Sequence, residues 1–484
     1  MSHTVRRLVR DMRSKDSRSR GDAGDRGATD LHVVRQANRT LVLNCIRAEG
    51  PLARVTVARR TGLSRTTVSS IVDMLLKEGL LREGSTLSAA PSGGRRAILV
   101  HFNEAAGCIL GVDLGRSHLT FLATDLAANA IARHSGPFDC LLGPDICLPQ
   151  LVCELRTFVT SSNIEWDTVV GIGLGIPGPL DAEQRMLVAP PRMPGWGGVD
   201  ILRYLRRELR VPVYLGNDAN MGALGESRFG AGRGLSDFAY VKVGTGIGCG
   251  LVISGDIYRG SRGSAGELGH VTIDEDGPLC DCGNRGCLET MAAAPQIVAD
   301  AVRGFSLRRE LGAVAPAFTG SRALMERQDV DVADVVLAAQ SGDAACIAAI
   351  ERAGELIGVA LASLVNLFSP AMILLDGSVA RAGDLVLDPM RRALVARSLP
   401  AASADVRIVK GALGDNAIAL GGVAMVLDAA FGSLEGLAAA TTGVKLATLS
   451  QHSGADDAHD DTTYGDNFSA SARDPPSTLG HVST

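Results

Sequence analysis

The chain has 484 residues, of which 46% are hydrophobic and 21% are charged. This length suits about three domains of ordinary size, and the composition allows most of the chain to bury a core. The apolar runs are shorter than the roughly 18 residues that a membrane span needs. No apolar stretch follows the N-terminal charges, so we expect neither an integral membrane protein nor a secretory signal.

Charge and cysteine usage indicate a partner and a compartment. The net charge of −5 divides into +9 over residues 1–104 and −14 over residues 105–484. Only the front of the chain is therefore expected to meet a polyanion such as nucleic acid. The ten cysteines are scattered except for one group of three, which excludes a disulfide framework and indicates a reducing compartment, the cytoplasm.

Both ends of the chain have the composition of disordered segments. Residues 1–30 form a basic polar tail, and residues 433–484 form an acidic tail rich in Ala, Thr, Ser and Asp. Neither segment carries enough apolar side chains to offset the entropy of ordering it. Between these tails, residues 31–104 predict helices followed by a short β region, and residues 105–432 alternate strands with helices.

Residues 31–104 have the pattern of a winged helix-turn-helix domain. Ser64 is a natural N-cap, and Gly62 suits the turn before it. Ala58 is small where two helices would cross, while Val68 and Ile71 form an apolar inner face on the helix that follows. The predicted helices and strands cover residues 34–45, 55–60, 65–78, 80–83 and 97–102.

The third of these helices carries the side chains expected to contact DNA. The N-terminal part of a recognition helix reaches base edges in the major groove. Arg95 and Arg96 follow two glycines between the strands, where a wing would reach phosphates or a minor groove. A small helical protein-interaction domain is the alternative, but turn chemistry, charge and wing together favour DNA. The predicted contacts on the helix are Arg65, Thr66, Thr67, Ser69 and Ser70.

Residues 105–432 predict an α/β body. Glycine-rich turns near 115 and 244 each follow an apolar strand, which indicates two related halves that face a cleft. The predicted strands cover residues 108–114, 119–125, 169–176, 211–215, 238–243 and 249–254.

A cysteine cluster in the body has the spacing of a zinc site. Cys280, Cys282 and Cys287 stand close together with glycines between them, and His270 precedes them by ten residues. Three thiolates and one imidazole complete a tetrahedral Zn²⁺ shell without an open position, so the metal is expected to be structural. Unligated cysteines with a purely structural histidine are the alternative.

Together with the front end, the motifs of the body resemble the ROK family of repressors, open reading frames and sugar kinases. The motifs are the segment Gly216–Asn220, the segment Glu267–His270 and the cysteine cluster. The resemblance covers about residues 31–432 and is closest to the family's transcriptional regulators, which add a winged helix to a sugar-kinase body. It implies an actin-like ATPase fold of two RNase-H-like halves with a sugar site between them.

The resemblance implies a set of sugar-binding residues. Asp218 matches the aspartate that acts as general base in the family's sugar kinases, and Asn217 offers a donor and an acceptor to sugar hydroxyls. Taken alone, these two residues are more typical of a turn stabilised by Asx side chains. Glu267 and Glu289 match sugar-binding glutamates, and His270 would hold zinc with one ring nitrogen and lie near the sugar with the other.

The nucleotide-binding segments depart from the kinase pattern of the family. Arg116 stands where the kinases have a glycine, and its side chain would crowd the phosphates. The segment 376–378 also differs from the three glycines expected beside adenosine. The second glycine hairpin looks intact. The residues expected to remain in a degenerate nucleotide site are Asp113, Gly115, Gly244, Thr245 and Gly246.

The sequence therefore predicts a sugar-responsive DNA-binding regulator of carbohydrate metabolism, most simply a repressor. Its expected partners are operator DNA and a sugar or sugar phosphate, and no interaction with a membrane is expected. Its expected oligomeric state is a homodimer or homotetramer. The enzyme alternative is a hexose or N-acetylhexosamine kinase that uses ATP and Mg²⁺, with Asp218 as its catalytic residue. A third interpretation is a DNA-binding protein whose body only dimerises.

Overall fold

A computed structural model describes residues 26–86, 97–181, 183–184, 186–188, 190, 193–310 and 330–432 of the chain. Within these ranges, a small N-terminal domain precedes two larger halves, each built on a five-stranded sheet. The predictions of disorder for residues 1–25 and 433–484 lie outside the described residues.

The N-terminal domain contains three helices and a three-stranded antiparallel sheet. The helices are α1 (Arg26–Glu49), α2 (Arg54–Thr61) and α3 (Arg65–Lys77). The strands are β1 (Leu52–Ala53), β2 (Leu81–Thr86) and β3 (Ile98–Phe102), in the order β1-β3-β2. The winged helix-turn-helix is thus confirmed. Helix α1 corrects one boundary, because it extends into residues 26–30 of the predicted tail, as a helix does once its first turn has formed.

The turn between α2 and α3 forms for the reasons that the sequence indicated. Gly62 has a φ of 69°, in the left-handed region. Ser64 caps α3, since its side chain accepts a hydrogen bond from the backbone N–H of Thr67 at 3.1 Å. Val68 is fully buried and Ile71 is nearly so, and they hold α3 against the rest of the domain.

The first half of the body is a mixed sheet with two helices on its outer face. Strands β4, β5 and β6 are antiparallel, while β7 and β8 run parallel to β4, in the order β6-β5-β4-β7-β8. Apolar side chains of the sheet and of both helices form one buried core. The elements are β4 (Cys108–Leu114), β5 (His118–Thr124), β6 (Ala130–Pro137), α4 (Pro144–Ser161), β7 (Val169–Ile176), α5 (Ile201–Leu209) and β8 (Val213–Asn217).

The second half repeats this strand order with more helices on its outer face. Its order is β11-β10-β9-β12-β13, again three antiparallel strands followed by two parallel ones. The repetition confirms the predicted pair of related halves. The strands are β9 (Phe238–Val243), β10 (Ile247–Ile253), β11 (Asp256–Tyr258), β12 (Met372–Asp376) and β13 (Arg407–Lys410). The outer helices are α7 (Leu288–Ala292), α8 (Ala294–Glu310), α9 (Val332–Gln340), α10 (Ala344–Phe368), α11 (Asp384–Arg397) and α12 (Pro400–Ser403).

Two helices cross between the sheets of the two halves. Helix α6 (Asp218–Phe229) packs on β9 and β10, helix α13 (Ala417–Phe431) packs on β4 and β7, and the two helices pack together. Gly422 lies directly against Gly173 of β7, where a Cβ on either residue would meet the backbone of the other. This close approach fixes α13 to the first half.

Helix α13 also belongs to the one stretch in the described residues that is long and apolar enough to cross a membrane. That stretch is Gly414–Phe431, and 61% of it is buried inside the protein. Its apolar side chains pack against both sheets and against the winged domain, so their burial accounts for its composition.

Candidate effector cleft and DNA interface

A cavity of about 850 Å³ opens between the two halves. Strand ends from both sheets reach it, and the glycine hairpin that joins β9 to β10 lines one side. Of the predicted nucleotide residues, Gly115 lies behind the wall, where a Cβ would meet the ring of His118. All five predicted sugar-binding residues line the cavity: Asn217, Asp218, Glu267, His270 and Glu289.

Asn217 and Asp218 lie where β8 passes into α6. The side chain of Asn217 caps the helix, because Oδ1 accepts from the backbone N–H of Asn220 and Nδ2 donates to the carbonyl of Gly178, both at 3.1 Å. Oδ1 of Asp218 accepts from the N–H of Ala219 at 2.9 Å. The Asx-type turn of the alternative interpretation is therefore present, and both residues also face the cavity.

Lys242, which the sequence analysis did not single out, points at Asp218 inside the cavity. Its Nζ donates to Oδ2 of Asp218 at 2.9 Å, and its side chain is only 18% exposed. Burial alone would lower the pKa of this ammonium, but Asp218, Asp113 and Asp376 outweigh burial and raise the pKa above its ordinary value. The sequence signal that could have identified Lys242 is the presence of a lysine inside the otherwise apolar strand β9.

Two glutamates bring further negative charge to the cavity. Oε2 of Glu289 accepts from the backbone N–H of Ile247 at 2.8 Å, and this carboxylate lies so close to Gly246 that no Cβ fits there. Burial, then Asp218 and Glu289, raises the pKa of Glu267 to about 7. Carboxylates crowded in this way bind hydroxyl donors well, since a hydroxyl satisfies a lone pair without adding charge.

The predicted metal ligands come together beside these glutamates. Nδ1 of His270 lies 3.7 Å from Sγ of Cys280, Sγ of Cys282 lies 3.7 Å from Sγ of Cys287, and all four ligand atoms lie within 4.8 Å of one another. Zn–S bonds of about 2.3 Å place tetrahedral sulfurs about 3.8 Å apart, so the set fits one such ion. The other ring nitrogen of His270 lies 4.0 Å from Glu267.

The remaining polar groups of the cavity lie towards the glycine hairpins. Asp113 and His118 are paired at 3.1 Å between Oδ2 and Nε2. Burial would raise the pKa of Asp113, but Lys242 and His118 leave it below its ordinary value. The hairpin from Gly244 to Gly246 is closed by a backbone hydrogen bond of 2.9 Å.

Arg116, at the first hairpin, lines the same side of the cavity. Its Nη1 is buried and has no hydrogen-bond partner in the part of the chain that the structure describes. Arg116 thus faces the cavity beside the first hairpin, and its crowding of a bound phosphate stays a prediction.

The predicted DNA-contacting residues occupy the start of α3. Arg65, Thr66 and Ser70 are exposed, while Thr67 and Ser69 are half-buried. The hydroxyls of Thr66 and Thr67 each lie 2.8 Å from Oγ of Ser64, so both also take part in capping the helix. The predicted wing residues Arg95 and Arg96 lie outside the described residues.

The winged domain contacts the body at the C-terminal end of α13. Nδ2 of Asn44 on α1 donates to the carbonyl of Phe431 at 3.0 Å. The Phe431 ring meets Phe102 edge-on with 6.0 Å between centroids, and the guanidinium of Arg47 lies 5.2 Å from the Phe431 centroid. At the other end of the helix, Ile418 lines the cavity. One helix therefore touches both functional regions.

The sequence matches two known families and a curated repressor. Residues 109–429 match the ROK family, and residues 35–82 match a winged helix-turn-helix DNA-binding family. The xylose repressor of Bacillus spizizenii is 31% identical over 399 residues, which are 82% of this chain and 97% of the repressor.

Solved structures include a regulator and a kinase with this body. A ROK family transcriptional regulator, described as a homolog of the E. coli MLC protein, superposes with a TM-score of 0.68 at 26% identity, over 83% of this chain and 98% of its own. A ROK family glucokinase from Streptomyces griseus, solved with glucose and AMPPNP, has a TM-score of 0.58 at 26% identity, over 66% of this chain and 99% of its own.

Proposed function

This chain belongs to the ROK family, and on that premise we propose that it is a sugar-responsive transcriptional repressor of carbohydrate-metabolism genes. The observation that carries the proposal is the joining of a winged helix-turn-helix to a cavity lined by hydroxyl-binding side chains. The repressor from Bacillus spizizenii is similar over nearly its whole length. In the proposal, residues 31–104 bind DNA, residues 105–432 bind the effector, and the protein acts in the cytoplasm.

Operator binding would depend on α3 and on the two-fold symmetry of a dimer. Arg65, Thr66 and Ser70 are exposed at the start of the helix and would reach base edges. Thr67, which takes part in capping the helix, and the half-buried Ser69 would contact the DNA backbone. Arg95 and Arg96 would contact phosphates. A homodimer, or a homotetramer built from dimers, would present two such helices about one DNA turn apart, roughly 34 Å.

The effector is a sugar or a sugar phosphate that binds in the cavity. Glu267, Glu289 and Asp218 would accept hydrogen bonds from its hydroxyls, and Asn217 and His270 would supply further polar contacts. The concentration of carboxylates favours a ligand that offers several hydroxyl donors.

We assign the Cys₃His set to a structural zinc ion. Three thiolates and one imidazole match the ligand preference of zinc and leave no open coordination position. Zinc, when bound, would cross-link the segment before α7 to His270. That cross-link would hold His270 and Glu289 in position at the wall of the cavity.

Helix α13 is the element that would carry the sugar signal to DNA. It lines the cavity at Ile418 and holds the winged domain at Phe431 through Asn44. A sugar that binds the closed form of the two halves better than the open form would shift α13 and rotate the winged domains. A small rotation changes the spacing of two recognition helices, so the sugar would release the operator.

The kinase alternative requires Asp218 to take a proton from a sugar hydroxyl while ATP and Mg²⁺ occupy the opposite side of the cavity. Oδ2 of Asp218 already accepts from Lys242 at 2.9 Å. We therefore favour a regulator that senses sugar over an enzyme that phosphorylates it.

Two measurements on the full chain test the proposal. A thermal-shift panel of pentoses, hexoses, N-acetylhexosamines and their phosphates should contain at least one ligand that stabilises the protein. An electrophoretic mobility-shift assay with a promoter fragment of the gene that encodes this protein should detect DNA binding. Arg65→Ala should weaken that binding by about 10-fold. The exposed body residue Arg352 provides the control, and Arg352→Ala should bind like the wild type. The proposal would be refuted if no sugar stabilised the protein and the protein did not bind the promoter fragment.

A further inference from the structure

Lys242 owes its position to the alternation of strand β9. Val241 and Val243 point outward and are fully buried in the core beneath the outer helices. Tyr240 and Lys242 therefore point to the opposite face, towards α6 and the cavity, because side chains alternate along a strand. The backbone of the sheet thus directs the ammonium into the cavity, where the side chain is 18% exposed.

Three carboxylates from three different elements interact with this ammonium. Asp218 starts α6 and accepts from Nζ at 2.9 Å. Asp113 lies near the end of β4, and Asp376 ends β12, directly opposite Lys242 in the parallel register. Asp113 and Asp376 are only 4% exposed, so bulk water does little to compensate a charge on either. Asp113 also pairs with His118, and Asp376 accepts from the hydroxyl of Tyr240 at 3.0 Å. Lys242 is the cationic group with which all three acids interact.

Carboxylates placed in this way beside a glycine hairpin generally favour the binding of a divalent cation. Mg²⁺ binds through one or two carboxylates together with phosphate oxygens, and phosphoryl transfer depends on such an ion and on a carboxylate near the attacking hydroxyl. Here the ammonium of Lys242 already pairs with Asp218 and interacts electrostatically with Asp113 and Asp376. A second cation would meet both its bulk and its charge.

We propose that Lys242 is a resident counter-cation, which takes the place of a divalent metal among Asp113, Asp218 and Asp376 and commits the cavity to binding sugar without metal or nucleotide. The inference rests on the proposed function and deepens it. Lys242 fixes Asp218 as an acceptor, so the carboxylate presents its remaining lone pairs to a sugar hydroxyl. Lys242 is thus a positioning residue for the effector and the reason why the effector needs no Mg²⁺.

The test replaces the ammonium with an uncharged side chain of similar length. Calorimetry follows Mn²⁺ binding to full-length wild type, to Lys242→Met and to the control Lys410→Met, which alters an exposed lysine at the end of the same sheet. Mn²⁺ is a suitable probe because it prefers oxygen ligands to the thiolates of the cysteine cluster. Lys242→Met should bind one Mn²⁺ ion per chain more than either of the other two proteins.

The same proteins are then titrated with the monosaccharide that gives the largest response in the thermal-shift panel. Wild type and Lys410→Met should bind it equally well with and without Mn²⁺. Lys242→Met should lose about 10-fold or more in affinity, and Mn²⁺ should restore most of that loss. Lys242→Arg keeps the charge, so it should bind sugar without Mn²⁺.

Sugar binding to the wild type that strengthens with Mn²⁺ would overturn the inference, and this measurement needs no variant to fold. Unchanged affinity of folded Lys242→Met in the absence of metal would overturn it as well. In either case, a sugar that still binds and still releases the promoter fragment leaves the proposed function intact. A wild type that binds no sugar at all refutes the proposed function itself.

Discussion

The two ends of the cavity compensate their charges in different ways. At the end of the cavity that we propose binds sugar, here called the sugar end, Glu267 and Glu289 line the wall beside the cysteine cluster, and burial, then Asp218 and Glu289, raises the pKa of Glu267. At the end beside the glycine hairpins, where the kinase alternative would place phosphates and which is here called the phosphate end, Asp113 is paired with His118 and interacts with Lys242. In the proposal, the glutamates of the sugar end favour a ligand with hydroxyl donors, whereas Lys242 and the ring of His118 already interact with Asp113 at the phosphate end. In the proposal, the cleft keeps sugar recognition while Lys242 takes the place of part of the machinery for phosphoryl transfer.

The largest effect is expected from the proposed zinc ligands beside the sugar end. Cys282→Ser should abolish zinc content and lower the free energy of unfolding by about 3 kcal/mol or more, because metal binding contributes folding energy. Metal analysis and thermal melts measure both quantities. Cys153→Ser removes an exposed thiol elsewhere and should change neither. Full zinc content in the Cys282 variant would disprove the ligand set.

Glu289→Gln tests the sugar end directly. The substitution keeps the size of the side chain and removes its charge, so sugar affinity should fall about 10- to 100-fold while the fold is retained. Calorimetry measures the affinity, and Glu355→Gln, at an exposed position on α10, is the control. If Glu289→Gln binds sugar like the wild type, the sugar end is wrongly assigned.

Asn44→Ala tests whether the contact between α1 and α13 couples sugar binding to DNA binding. The variant loses the hydrogen bond to the carbonyl of Phe431, so sugar affinity should stay within about 2-fold while the effect of sugar on promoter binding shrinks about 5-fold, which is about 1 kcal/mol of coupling. Binding to labelled promoter DNA with and without sugar measures this. Asn366→Ala, an exposed site, should respond normally. An unaltered response in Asn44→Ala would exclude this contact from the signal path.

The smallest effect is expected from Arg116→Gly at the phosphate end. This change restores the glycine of the kinase pattern, but Lys242 still donates to Asp218. Sugar affinity should change by less than about 2-fold, and a coupled ATP assay should detect no phosphorylated product. Turnover in this variant would show that Arg116, and not Lys242, prevents phosphoryl transfer in the wild type.

Local sequence patterns predicted the elements well, and tertiary contacts explain what they missed. The strands at 108–114, 169–176 and 238–243 have their predicted bounds, since apolar runs between glycines mark them clearly. Ser64 and Gly62 fixed the helix-turn-helix through local geometry alone. The cysteine spacing likewise brought four ligand atoms together, because its segment is short.

Lys242 and Asn44 carry no such local signature. Lys242 matters because a strand places it opposite the first residue of a helix 24 positions earlier, and Asn44 because its partner Phe431 is 387 residues away. Contacts of that separation depend on how the sheets and helices stack, which periodicity and spacing do not encode. The sequence therefore identified the wall of the cavity but missed the ion pair that defines its chemistry.

The most direct test measures promoter binding by the full-length protein while sugar is added, with and without ATP and Mg²⁺. The account predicts that sugar alone weakens binding by about 10-fold or more, a coupling typical of allosteric proteins, and that ATP and Mg²⁺ change nothing. A response that appears only with ATP and Mg²⁺, accompanied by a phosphorylated sugar, would contradict it.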